Sequence, residues 1–80
     1  MMGNEFIKLN EYYYESTTRE FKTRKILICI DDISAVVDEV VGENHKRNVR
    51  AMLKTGRYHD VAETFQEIAN MIQEAQDEWR

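Results

Sequence analysis

The residues in this chain that could do chemistry are one thiol, two imidazoles and a scatter of carboxylates. Cys29, His59 and Asp60 are the set from which a nucleophile, a base and an orienting acid could be built. A thiol acts that way only within hydrogen-bond reach of its base. Cys29 lies inside the apolar run Ile26-Leu27-Ile28-Cys29-Ile30, where a thiol serves as a small buried hydrophobe, and nothing in the spacing drives it toward His59. Asp31, Asp32, Asp38 and Glu39 are potential ligands for a hard cation, or an acid/base pair. No glycine-punctuated calcium loop surrounds them, and aspartates at a strand end have the simpler role of bonding nearby backbone N–H groups. His45 and His59 are too isolated for zinc, and a single cysteine cannot close an internal disulfide. The expectation is a non-enzymatic protein without catalytic residues, metal or cofactor.

Aromatic and cationic residues are the other conspicuous group. Tyr12-Tyr13-Tyr14 precedes Arg19, Lys22, Arg24 and Lys25, and a second cationic group comprises His45, Lys46, Arg47 and Arg50. Stacking faces beside phosphate-seeking cations are the ingredients of a single-stranded nucleic-acid platform. The net charge of −4 opposes a polyanion, as does the acidic outer face that Glu63, Glu67, Glu74, Asp77 and Glu78 are expected to give a C-terminal helix. Protein–protein association suits the same rings better, because tyrosine and tryptophan offer large contact area with a polar tip. Tyr12, Tyr14, Arg47, Arg50 and Trp79 are the candidate partner-binding residues.

These side chains need elements to hold them. Residues 6–14 alternate as a first strand with Ile7, Leu9 and Tyr13 on one face, and residues 15–23 form a polar hairpin loop. The apolar run at residues 25–30 predicts a central strand, broken by Asp31-Asp32. A third strand follows over residues 33–41, with Ile33, Ala35 and Val37 opposite Val36 and Val40. Residues 42–48 connect to a fourth strand in which Val49, Ala51 and Leu53 share a face. Thr55-Gly56 turns the chain into a short fifth strand over residues 57–62.

Thr64-Phe65-Gln66-Glu67 has the form of a capping box and opens a helix over residues 64–79. Phe65, Ile68, Ile72, Ala75 and Trp79 recur at steps of three or four, with Ala69 and Met71 beside them, and give that helix an apolar stripe to lay over Ile26, Ile28 and Leu53. With 42% hydrophobic residues, 32% charged and no proline, the chain has the composition of a globular domain rather than a disordered one. At this length roughly 60–65% of the unfolded surface can be buried, which limits the domain to two layers.

The segments Phe6-Ile7-Lys8-Leu9, Ile30-Asp31-Asp32-Ile33, Leu53-Lys54-Thr55-Gly56-Arg57-Tyr58 and Val61-Ala62-Glu63-Thr64-Phe65-Gln66-Glu67-Ile68 occur in that order. Together they resemble the small FlbD-like flagellar-associated proteins and similar short bacterial and phage proteins. That resemblance implies a compact sheet ending in a Glu-Ser/Thr-x-x-Glu helix and a non-enzymatic role.

The expected molecule is a single α+β domain: a flexible N-terminus at residues 1–5, a five-stranded antiparallel meander at 6–62 and a helix at 64–79. No apolar run approaches the roughly 20 residues of a membrane span. Met1-Met2-Gly3-Asn4 has neither a basic nor an apolar region. A cytoplasmic location follows as an expectation. The expected function is binding to a protein partner or to itself, as a homodimer or larger oligomer, with single-stranded nucleic acid as the alternative ligand.

Overall fold

The computed structural model describes residues 5–77. Its elements are β1 (Phe6–Glu15), β2 (Glu20–Cys29), a 3₁₀ turn (Ile30–Asp32), β3 (Ile33–Val41), β4 (Arg47–Leu53), β5 (Tyr58–Val61) and α1 (Phe65–Asp77). All strand pairs are antiparallel, in the order β2-β1-β5-β4-β3, and α1 packs against β1 and β3. The α+β architecture expected from the pattern, five antiparallel strands under one C-terminal helix, is the fold. Its meander run β3-β4-β5 is joined to the β1–β2 hairpin where Glu11 pairs with Val61.

This order puts β2 and β3 at opposite edges, although only Ile30–Asp32 separates them in sequence. Five flat strands would hold their edges about 19 Å apart at ~4.8 Å per gap. Four Cα steps reach at most about 14 Å, and a 3₁₀ turn covers less. The sheet must therefore coil until its edges approach each other at this end. The connector is fastened on both sides: Ile30 N–H donates to the Glu5 carbonyl at 2.9 Å, and Lys54 N–H donates to the Asp32 carbonyl at 2.8 Å.

Coiling encloses Ile7, Leu9, Ile28, Val49, Ala51 and Val61, and α1 adds Ile68 to the same core. Ile26, Ile30, Ile33, Val36, Leu53, Met71 and Ile72 pack around its margin. The helix begins as its cap dictates: Glu67 N–H donates to Thr64 Oγ1 at 3.1 Å, and Thr64 N–H donates to Glu67 Oε1 at 2.8 Å. Its apolar stripe is centred on Ile68, which is fully buried, whereas Phe65 at the first turn is 43% exposed. Trp79 lies outside the described residues.

Four expectations are corrected. The run at residues 25–30 belongs to an edge strand, because the short connector assigns β2 to the rim; Ile28 faces the core and Leu27 is 64% exposed. Residues 20–23 are strand rather than loop, since a turn confined to residues 16–19 keeps β1 and β2 in unbroken register from Glu15↔Glu20 to Phe6↔Cys29. In β3 the inward residues are Ile33, Val36 and Val40, because register irregularities at Ile33/Ala35 and Val37/Val40 shift the alternation. Glu63 is not on the outer face of the helix. Its carboxylate accepts from Asn10 N–H at 2.9 Å and from Asn10 Nδ2 at 2.7 Å, tying the approach to α1 onto β1.

Ile68→Ala is expected to destabilise the protein by about 2–5 kcal/mol, the range for a large-to-small change in a closed core. Phe65→Ala should cost much less, and urea unfolding midpoints of the two variants measure the contrast.

Candidate functional site: an aromatic pocket on the uncovered face

Strand alternation sends Ile7, Leu9 and Glu11 of β1 toward the core and Tyr12 and Tyr14 to the opposite side of the strand. The hairpin register sets Phe21 opposite Tyr14, and the two rings meet edge to face with centroids 5.2 Å apart. Continuing the Glu11↔Val61 pairing brings Asp60 and Tyr58 of β5 alongside Tyr12 and Tyr14. These five residues, together with Glu11, Tyr13, Glu43, Asn44 and Asn48, line a pocket of about 140 Å³. That volume is equivalent to roughly five waters at ~30 Å³ each.

The rim opposite the tyrosines is the connection between β3 and β4, folded tightly by its own hydrogen bonds. Gly42 N–H donates to the Lys46 carbonyl at 3.0 Å, His45 N–H donates to the Gly42 carbonyl at 3.0 Å, and His45 takes a φ of 63°. Asn44 Oδ1 accepts from Lys46 N–H and from Asn48 Nδ2, each at 3.1 Å. Both bonds need Oδ1 as acceptor, so the amide orientation follows from the network. Asn44 Nδ2 is then left buried with no hydrogen-bond partner. Gly42 is required by close approach, since a Cβ there would lie 2.1 Å from Asn48 Nδ2.

Arg50 braces the floor. Its Nε donates to Asp60 Oδ1 at 2.7 Å and its Nη2 to Asp60 Oδ2 at 3.1 Å, while the guanidinium lies 3.9 Å from the Tyr58 ring centroid. The Asp60 hydrogen bonds hold the guanidinium protonated even more firmly than usual, against the opposing effect of burial. On the inner face Glu11 closes the polar end of the core, with Oε1 accepting from Arg24 Nε at 3.1 Å and Oε2 bonded to His59 Nδ1. Arg24 also lies 5.1 Å from the Tyr13 centroid.

Of the residues singled out from sequence, Tyr12 and Tyr14 share the pocket, and Arg50 supports it through Asp60 and Tyr58. Arg47 lies away from it, paired at 4.0 Å with Glu39 where both side chains are exposed, a geometry worth little. Cys29, His59 and Asp60 are not brought together. Cys29 pairs with Phe6, whereas His59 contacts Glu11, five residues or about 17 Å along β1, and Asp60 points to the opposite face. Among the described residues, no three His, Cys, Asp or Glu side chains group as metal ligands would. Phe21, Tyr58, Glu43, Asn44 and Asn48 escape sequence reasoning. Only the hairpin register, had the turn been placed at residues 16–19, would have paired Phe21 with Tyr14.

No family model, no curated protein and no solved structure matches the chain. No helix among the described residues is long and apolar enough to cross a membrane.

Two outcomes follow from this geometry. Gly42→Ala is expected to displace the Asn48 side chain and lower stability by about 1–3 kcal/mol, the usual cost of overpacking, with Asn48 side-chain amide resonances reporting the shift. At the hairpin tip, hydrogen bonds from Lys22 and Thr18 hold the Glu15 carboxyl below its ordinary range. Its contribution is therefore complete above the unfolded-state pKa and fades as pH falls through the folded-state value. Acid titration by NMR should loosen residues 16–19 in that window, and Glu15→Gln should remove the step.

Proposed function

We propose that this is a non-enzymatic protein-binding module that associates with a protein partner, or with further copies of itself, through the sheet face opposite α1. One observation carries this reading: the helix covers one face of a thin sheet, and the other gathers Tyr12, Tyr14, Phe21 and Tyr58 around one pocket. Exposed aromatic clusters of this kind characterise interface centres, where rigid rings contribute area at small entropic cost. The unpaired outer edge of β2, with Leu27 exposed beside it, offers a second route to association by strand addition.

Charge pairing favours protein over nucleic acid as the ligand. Three of the potential phosphate contacts, Lys22, Arg24 and Arg50, are engaged by Glu15, Glu11 and Asp60, whereas the long, exposed Arg47–Glu39 pair neutralises little. At the pocket itself Asp60 is neutralised by Arg50, and Glu43 is the exposed acidic side chain of the lining.

Light scattering after size exclusion across a concentration series should give a mass above the monomer that falls on Tyr14→Glu. A strict monomer at the highest concentration counts against self-association and leaves a heterologous partner. Oligonucleotide binding that weakens steeply with salt would displace the protein-binding reading, since phosphate contacts release counterions.

A further inference from the structure

Resting on the protein-binding reading but on a different surface, we infer that the open edge of β2 pairs antiparallel with β2 of a second copy about a two-fold axis at Arg24. The two rims of the sheet are unlike. β3 breaks register twice, carries Asp38 and Glu39 in its middle and holds Glu39 at a φ of 58°, devices that keep a further strand from pairing. β2 keeps one register with β1 over all 10 of its residues and contains neither bulge nor proline. The direction of its free backbone groups follows from that ladder. Ile30 N–H donates to the Glu5 carbonyl, which makes Glu5 and Ile30 a hydrogen-bonded pair continuing the same register. Alternation then turns the backbone groups of Glu20, Lys22, Arg24, Ile26 and Ile28 toward β1, and those of Phe21, Thr23, Lys25 and Leu27 out of the sheet. No described strand lies beside them.

The side chains select both occupant and register. Phe21 and Leu27 share the outer face of β2, and both are exposed. A two-fold that keeps the faces of two joined sheets aligned must pass through a residue, and Arg24 stands midway between these two. An axis there sets Phe21 of each copy against Leu27 of the other, and Thr23 against Lys25. The Tyr14–Phe21 ring contact then continues onto a leucine. Only the two Arg24 side chains meet as like charges, and each already bonds its own Glu11 and lies beside its own Tyr13 ring. Moving the axis to Thr23 opposes Lys22 and Arg24 twice, and moving it to Lys22 or Lys25 opposes two lysines. An axis at Ile26 avoids like charges but carries Phe21 past the end of the strand, opposite Asp31. A strongly charged foreign strand finds little to recruit it, since Lys22 and Arg24 are engaged by Glu15 and Glu11 and Glu20 offsets Lys25.

The test is isotope-filtered NMR on an equal mixture of labelled and unlabelled full chains at high concentration, with light scattering on the same sample. Within one chain Phe21 and Leu27 are about 20 Å apart at ~3.3 Å per residue, so an NOE between the Phe21 ring and the Leu27 methyls can arise only between copies. That contact, a two-chain mass and amide exchange that slows with concentration at Phe21, Thr23, Lys25 and Leu27 are the expected results. Thr23→Pro removes one outward N–H and no β1–β2 ladder bond, and should weaken association at least roughly tenfold in a chain that still folds. A strict monomer at the highest concentration, or a dimer without the Phe21–Leu27 contact, would overturn the edge pairing. So would an acidic extended peptide that protects the same four amides on a monomeric chain, because a foreign strand would then be the occupant. A dimer lacking the contact but dissociated by Tyr14→Glu upholds association through the sheet face, so the two proposals fail separately.

Discussion

The structure depends on the shortness of the link between β2 and β3. Three residues in a 3₁₀ turn connect the first and last strands of a five-stranded sheet, and a flat sheet cannot satisfy that link. Coiling follows, and with it the enclosure of a core to which the described residues give seven buried hydrophobic side chains, with half-buried ones packed around them. The same curvature lets α1, described over 13 residues, seal the interior with its main contacts to β1 and β3. At the opposite end, where no helix reaches, the interior finishes in polar contacts: Glu11 is 9% exposed and bonded to both Arg24 and His59. A buried carboxylate without those partners would be costly, so the cluster is first a condition of folding.

Features governed by neighbours in sequence were legible before the structure. The capping box at Thr64 and Glu67 needs only four consecutive residues, and its two reciprocal hydrogen bonds form as the pattern implies. Gly56 likewise takes a φ of 93° in the turn before β5. The face of β4 could be read from the alternation of Val49 and Ala51, because that strand is regular over this stretch.

What could not be read depends on distance or on irregularity. The run around Ile28 is apolar on both faces, as a central strand would be, and only the topology assigns it to an edge. In β3, register shifts reverse the assignment of Ala35 and Val36, and no residue type announces them. Glu63 resembled a solvated helix carboxylate until β1 came beside it, when it became the acceptor for Asn10. The candidate site divides the same way. Tyr12 and Tyr14 were visible as a cluster, whereas Phe21, Tyr58 and Asn44 enter only through the hairpin register, the β1–β5 pairing and a folded connection.

The two faces of the sheet therefore use the same residue types in opposite ways. On the inner face a carboxylate, a guanidinium and an imidazole neutralise one another, with Glu11 shared between Arg24 and His59, and the arrangement is closed. On the outer face Arg50 satisfies Asp60, but Glu43 is exposed, four aromatic rings meet solvent to varying degrees and one amide of Asn44 lacks a partner. Part of this convergence serves the sheet itself, since Tyr14 and Phe21 face each other across the hairpin and such cross-strand aromatic pairs stabilise it. The tight turn around Gly42 holds Asn44 Oδ1 against Asn48 of β4. A surface so fixed carries its order within the fold itself, before any further contact is made.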